Sequence, residues 1–302
     1  MSAAAPGRRA VARRSLALFF VLVVGVSAWL EWSIAKTGRP VGESGGLIFL
    51  LMWTPAAASL VCRLAFREGI RDVSFRFGGR TPARPLLLAW LLPLAVGVPA
   101  YGVAWATGLA RFDPPDLAKI AITGLRPIGR FAVLLLLTLT VVTLISALSA
   151  AGEEIGWRGF MLTRLVEAGV PAPLLVSGVV WALWHVPLIL TGQYAAGGNR
   201  TLSAILFVTG ISAAGCAIGF LRLSSGSVWP AVLLHASWNA VIQGAFDASS
   251  KGGRVWIGES GLLVVAGLIA LSAWLARGAW AARRAPGEPP FATLDALGRP
   301  AA

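Results

Sequence analysis

The chain has 302 residues, 57% of them hydrophobic and 13% charged, with a mean hydropathy of +0.75 and a formal net charge of +13. That composition excludes an ordinary soluble domain. The charge argues against nucleic-acid binding, because the arginines stand at the ends of apolar runs rather than in a surface cluster with interleaved aromatics.

In chain order, residues 1–15 form a basic N-terminus with Arg8, Arg9, Arg13 and Arg14. The apolar run that follows lacks a clear small-residue cleavage site and reads as a retained signal anchor. Eight apolar runs are each long enough, at about 18–22 residues, to cross some 30 Å of hydrocarbon as a helix. They are Leu16–Ala35, Gly45–Leu64, Leu86–Thr107, Phe131–Ala151, Ala172–Thr191, Leu202–Leu221, Val228–Phe246 and Gly261–Ala281. The expected fold is therefore all-α: a polytopic membrane helical bundle of about eight transmembrane helices over residues 16–281, in the cell membrane.

Seventeen lysines and arginines fall at the end of the bundle that holds the N-terminus and nine at the other, which predicts cytoplasmic N- and C-termini. Between the second and third runs, Phe66–Pro85 alternates Arg with Ile70, Val73, Phe75 and Phe77. That pattern suits either a positive-inside loop or a segment lying on anionic lipid. Ala110–Arg130, with Asp113-Pro114-Pro115-Asp116, reads as an external connection containing a turn. Residues 282–302 are proline-rich, without apolar period, and read as a disordered cytoplasmic tail. Cys62 and Cys216 lie inside apolar runs without metal-ligand spacing and read as small buried hydrophobes.

Three of these runs carry groups that hydrocarbon rejects. After an uncharged stretch from Phe131 to Ala151 come Glu153, Glu154 and Arg158. An ionisable side chain at bilayer depth costs about 2.5–3.5 kcal/mol on insertion scales, so it needs a reason to be there. On one helix Glu154 and Arg158 stand at i,i+4 and pair, while Glu153 points about 100° away and stays available for chemistry. The only two histidines, His185 and His235, lie in the fifth and seventh runs, with Trp181 one turn before His185 and Asn239 one turn after His235.

Taken singly, each group has a bland explanation, as an ion pair ending a helix or as polar contacts between helices. Together, they are satisfied by one cavity between the fourth, fifth and seventh spans. Such a cavity suits hydrolysis, with Glu153 as general base, His185 orienting water, and His235 and Asn239 donating to an oxyanion. A zinc ion held by His185, His235 and one of the two glutamates is the alternative, although no His-Glu-x-x-His is present. Serine chemistry gains little, since Ser146, Ser149, Ser177 and Ser237 in the apolar runs are typical helix-packing residues.

The motifs Glu153-Glu154-x-x-x-Arg158, aromatic-x-x-x-His185 and His235-x-x-x-Asn239, in this order and each on its own apolar run, resemble the CPBP family. These are the CAAX-prenyl-protease and bacteriocin-processing intramembrane endopeptidases, and the resemblance covers a core at residues 131–246. It implies an eight-span bundle with a cytoplasm-facing cavity that hydrolyses a peptide bond. Glu153 would be the water-activating base assisted by His185, Glu154 and Arg158 would shape the site, and His235 with Asn239 would stabilise the oxyanion. The family has been described both as metalloproteases and as glutamate peptidases, which leaves zinc open. Trp181 stands where the second motif often has Phe.

The implied partners are membrane lipids and a membrane-associated peptide, CAAX-type or bacteriocin-like. No residue specifies a prenyl pocket over another apolar groove. A non-catalytic scaffold or immunity protein is the rival reading. A proton-coupled transporter is disfavoured because no two matched halves carry interrupted spans. One tension remains: His185 lies about 20 Å into the fifth run, while Glu153 lies near the cytoplasmic end of the fourth. Their meeting requires a tilted or broken helix, or a fourth helix that ends elsewhere.

Overall fold

The structure is a computed structural model that describes residues 6–76, 83–195 and 197–282. The expected tail after Arg284 lies outside the described residues. Each apolar run forms a helical rod: α1 (Pro6–Thr37), α2 (Gly45–Ala65), α3 (Ala83–Ala106), α4 (Pro127–Glu167), α5 (Pro173–Leu190), α6 (Arg200–Ser225), α7 (residues 229–247) and α8 (Leu262–Ala282). The first six are long and apolar enough to cross a membrane. The protein is a helical membrane bundle, and the sheet among the described residues is the two-residue pair β1 (Arg111–Phe112) and β2 (Ser250–Lys251).

Connections alternate between two ends of the bundle. At the end holding the start of α1, the Val228 amide donates to the Ser74 carbonyl and Arg13 donates to the carbonyl of Ala168. The α2–α3, α4–α5 and α6–α7 connections therefore share that end. At the opposite end Val41 N–H donates to Gln193 O, and Asp113 N–H to Ser249 O, which groups the remaining connections there.

The main correction to the sequence reading concerns α4. It does not stop at Ala151 but runs for 41 residues to Glu167. At 1.5 Å per residue this is about 60 Å, twice the hydrocarbon thickness. The acidic pair consequently sits mid-rod, not at a helix end. The charges after Glu153 are accommodated by burial and pairing. Arg164 reaches Glu68, Asp72 and Glu167 at 3.0, 3.0 and 2.6 Å. Arg63 also pairs with Asp72, and Arg222 donates to the Asp72 carbonyl.

That cluster fixes the α2–α3 connection. Asp72, Val73 and Ser74 are buried, and Val73 packs in a small core with Ala150, Val228, Val232 and Ala236. Val73 is therefore an internal contact, not one laid on lipid, because its neighbour Asp72 collects three arginines.

Helix packing positions the site. α4 lies against α2 and α7, and α5 against α6. Gly152 and Gly156 face α2, where a Cβ on Gly152 would come within 2.7 Å of the Met52 carbonyl oxygen and one on Gly156 would overlap Pro55. Small residues at i,i+4 allow this backbone approach. Pro55 lacks an amide hydrogen and cannot donate to the carbonyl one turn before it in α2, a cost that close helix packing tolerates.

Candidate active site

Depth is matched across α4 and α5. Glu153 lies fourteen residues, or about 21 Å, before the end of α4, and His185 twelve residues, or about 18 Å, after the start of α5. The separation that seemed to oppose their meeting came from ending α4 too early. Glu153, His185, His235 and Asn239 all line one cavity of about 130 Å³.

Glu154 and Arg158 stand behind this wall, fully buried. Glu154 Oε1 accepts from Arg158 Nη1 at 2.9 Å and from His235 Nδ1 at 2.8 Å. One carboxylate oxygen thus anchors a cation on its own helix and an imidazole on α7. The expected i,i+4 pair is present, and the structure adds its second partner.

Trp181 is the hub. Its indole Nε1–H donates to Glu153 Oε2 at 2.7 Å, and its ring face takes the Arg158 guanidinium at 4.3 Å. Its centroid lies 5.2 Å from that of His235 and 5.7 Å from that of His185, in edge contacts. A phenylalanine at this position would pack similarly but offer no N–H to Glu153.

Hydrogen bonding sets the histidine roles. His185 Nδ1 lies 2.9 Å from the Trp181 carbonyl oxygen, which only accepts. Nδ1 therefore carries hydrogen, and Nε2 of the neutral ring is an acceptor. His235 Nδ1 likewise donates to a carboxylate, so its Nε2 donates only in the imidazolium form. Asn239 is oriented from α7 itself: Gln243 Nε2 donates to Asn239 Oδ1 at 3.5 Å, leaving the Asn239 amide N–H groups to point elsewhere. Asn239 opens a π-helical segment, Asn239–Asp247, and a second one, Trp157–Met161, follows the acidic pair. Such wide turns recur at functional sites.

Four further cavity residues were not singled out from sequence. Glu259 accepts from Trp238 Nε1 at 2.7 Å, from Gln243 Nε2 at 3.1 Å and from the Tyr194 hydroxyl. The Tyr194 ring stacks on His185 at 5.6 Å. Gln243 was legible as the next i,i+4 step after His235 and Asn239, and Glu31 as a carboxylate inside an apolar run. Tyr194 and Glu259 sit in connections and carry no such signal.

For zinc, the donors present were expected to be His185, His235 and one glutamate. Among the described residues no three His, Cys, Asp or Glu side chains form a group that holds a metal ion. Both Nδ1 atoms and two glutamate oxygens are already engaged with protein partners. The donors left over on the cavity wall are the two Nε2 atoms and the second oxygen of Glu153.

No curated protein matches the chain. Residues 132–241, the stretch that holds all six motif residues, match the family described as type II CAAX prenyl endopeptidase Rce1-like, so the chain contains an Rce1-like domain of the CPBP family that its three motifs resemble.

Proposed function

We propose that the protein is an intramembrane endopeptidase that hydrolyses a peptide bond of a membrane-associated substrate, with Glu153 as general base. The observation that carries this reading is the shared cavity wall of Glu153, His185, His235 and Asn239, backed by Glu154. Protease activity in general agrees with the family match.

In this reading a water in the cavity gives its proton to Glu153, whose Oε2 is held by Trp181 and whose other oxygen is available to the water. His185 Nε2 accepts the water's second hydrogen and orients its lone pair toward the scissile carbonyl. His235, as the imidazolium paired with Glu154, and the Asn239 amide donate to the developing oxyanion. The proton on Glu153 then passes to the leaving amine. No step requires a metal ion.

The test uses purified full-length protein with a library of internally quenched peptides. Wild type is expected to cleave, and Glu153→Ala, His185→Ala and His235→Ala to lose the activity. Equal cleavage by all four would refute the assignment. Wild-type cleavage that survives 1,10-phenanthroline is expected as well, and loss restored by added zinc would favour the metal-dependent alternative.

A further inference from the structure

The walls of the cavity differ in origin. The catalytic groups come from α4, α5 and α7, inside the matched stretch, whereas Glu31, Val41, Ile48, Leu51 and Met52 come from α1, α2 and their connection, outside it. Glu31 is the unusual member. It is 8% exposed, its Oε1 is buried with no hydrogen-bond partner among the described residues, and its side chain forms part of the cavity wall. The nearest cation further along α1, Lys36, lies over the Trp32 ring instead.

The cavity is acidic although the chain carries a net charge of +13. Among the described residues three carboxylates line it, Glu31, Glu153 and Glu259, and neither lysine nor arginine does. Glu259 is satisfied by three neutral donors and Glu153 by the Trp181 indole. Among the described residues, Glu31 Oε1 alone of these carboxylates' oxygens is buried without a hydrogen-bond partner. A buried carboxylate without a partner is costly, and a ligand cation would offset that cost. The apolar side chains of Ile48, Leu51 and Leu188 share the same cavity. Apolar surface leading to a carboxylate matches a basic side chain, with a methylene stem and a charged head.

We infer that Glu31 is a specificity-determining residue whose carboxylate takes the ammonium or guanidinium of a basic residue in the substrate. This deepens the endopeptidase reading and rests on it. It also implies discrimination: a substrate carboxylate placed in this cavity meets like charge, which disfavours it.

The experiment uses full-length protein and quenched decapeptides on one apolar scaffold, with lysine, glutamine or glutamate placed at successive positions. Wild type is expected to favour lysine over glutamine about tenfold or more in kcat/KM at one position. In Glu31→Gln that ratio falls to about one, in Glu31→Asp it is largely retained, and in Glu31→Lys glutamate becomes the preferred residue. A wild type without a basic preference at any position, or a preference that persists in Glu31→Gln, overturns the inference.

If wild type and Glu153→Ala cleave equally, the endopeptidase reading fails, and the subsite is then decided by binding. Quenching of tryptophan fluorescence by n-octylammonium chloride, lost in Glu31→Gln, would uphold it. Equal quenching of the two proteins would overturn it.

Discussion

Adjacent glutamates on one helix have opposite duties, and their partners say which is which. Glu154 has two charged or polar partners on one oxygen and no place in the cavity wall. Its replacement by Gln leaves the Arg158 guanidinium buried without its ion-pair partner, a loss of about 3–5 kcal/mol for a broken buried pair. We expect Glu154→Gln to lower the thermal unfolding midpoint in detergent. Glu153 has one neutral partner, and a glutamine there keeps a carbonyl acceptor for the Trp181 indole. Glu153→Gln should therefore unfold close to the wild-type temperature while cleavage falls about 100-fold to 10,000-fold, the usual span for a lost general base. Coincident losses of stability in both variants would show that Glu153 also supports the fold. Trp181→Phe is the finer probe, since it keeps the ring and removes the N–H on Glu153. Its expected effect is a lower kcat with little change in KM, measured on the same peptides.

At the level of elements, two rods meet where side chains are smallest. Gly156 faces Pro55 with no room for a methyl group, and Gly152 is equally close to α2. Gly156→Ala should cost about 1–3 kcal/mol through overpacking. It should also reduce cleavage, because Glu153 rides on the same turn. Unchanged activity in a destabilised Gly156→Ala would separate this contact from the site. A second element-level device joins the α3–α4 and α7–α8 connections. Lys251 and then Arg111 hydrogen-bond Asp113, holding its carboxyl below the usual carboxylate range. A depressed carboxyl stabilises above its unfolded value and loses that contribution as pH falls through the folded one. The hydrogen-exchange protection factor of the Asp113 amide, which donates to Ser249 O, should therefore hold in mild acid and fall only below the ordinary carboxylate range.

Eight rods and three motif positions were legible in sequence because apolar length and intramembrane charge are both local signals. The end of α4 was not. Arg158, Arg164 and Glu167 look like a cytoplasmic flank until their partners are known, and those partners come from other segments or, for Arg158, from a fully buried i,i+4 glutamate. The Trp181 hydrogen bond was hidden for a related reason: sequence places an aromatic one turn from His185, but only the packing of α4 against α5 decides what its N–H meets. Glu259 needed the α7–α8 connection to fold back over the cavity.

At the scale of the whole molecule, the two ends of the bundle disagree with one expectation. The cavity wall includes Val41, Tyr194 and Glu259, which lie in the connections after α1, α5 and α7. Those connections occupy the end opposite Arg13 and the start of α1. Cytoplasmic termini and a cytoplasm-facing cavity are thus incompatible, and charge must choose between them. Four of the arginines counted toward the N-terminal end, Arg63, Arg158, Arg164 and Arg222, are buried, and each is bound to a carboxylate or a backbone carbonyl. Buried, neutralised arginines do not contribute to the loop bias that sets topology. With those four set aside, the N-terminal end still carries four arginines within the first turns of α1, Arg8, Arg9, Arg13 and Arg14, ahead of the first apolar run. We therefore predict that the termini are cytoplasmic and that the cavity reaches the non-cytoplasmic face. Single cysteines at Ser2 and at Asp116, in a Cys62→Ala, Cys216→Ala background, should be labelled differently by a membrane-impermeant maleimide on intact cells. Labelling at 116 and protection at 2 is the expected pattern. The reverse pattern would turn the cavity toward the cytoplasm and show that the buried arginines, not the exposed ones, track the inside surface.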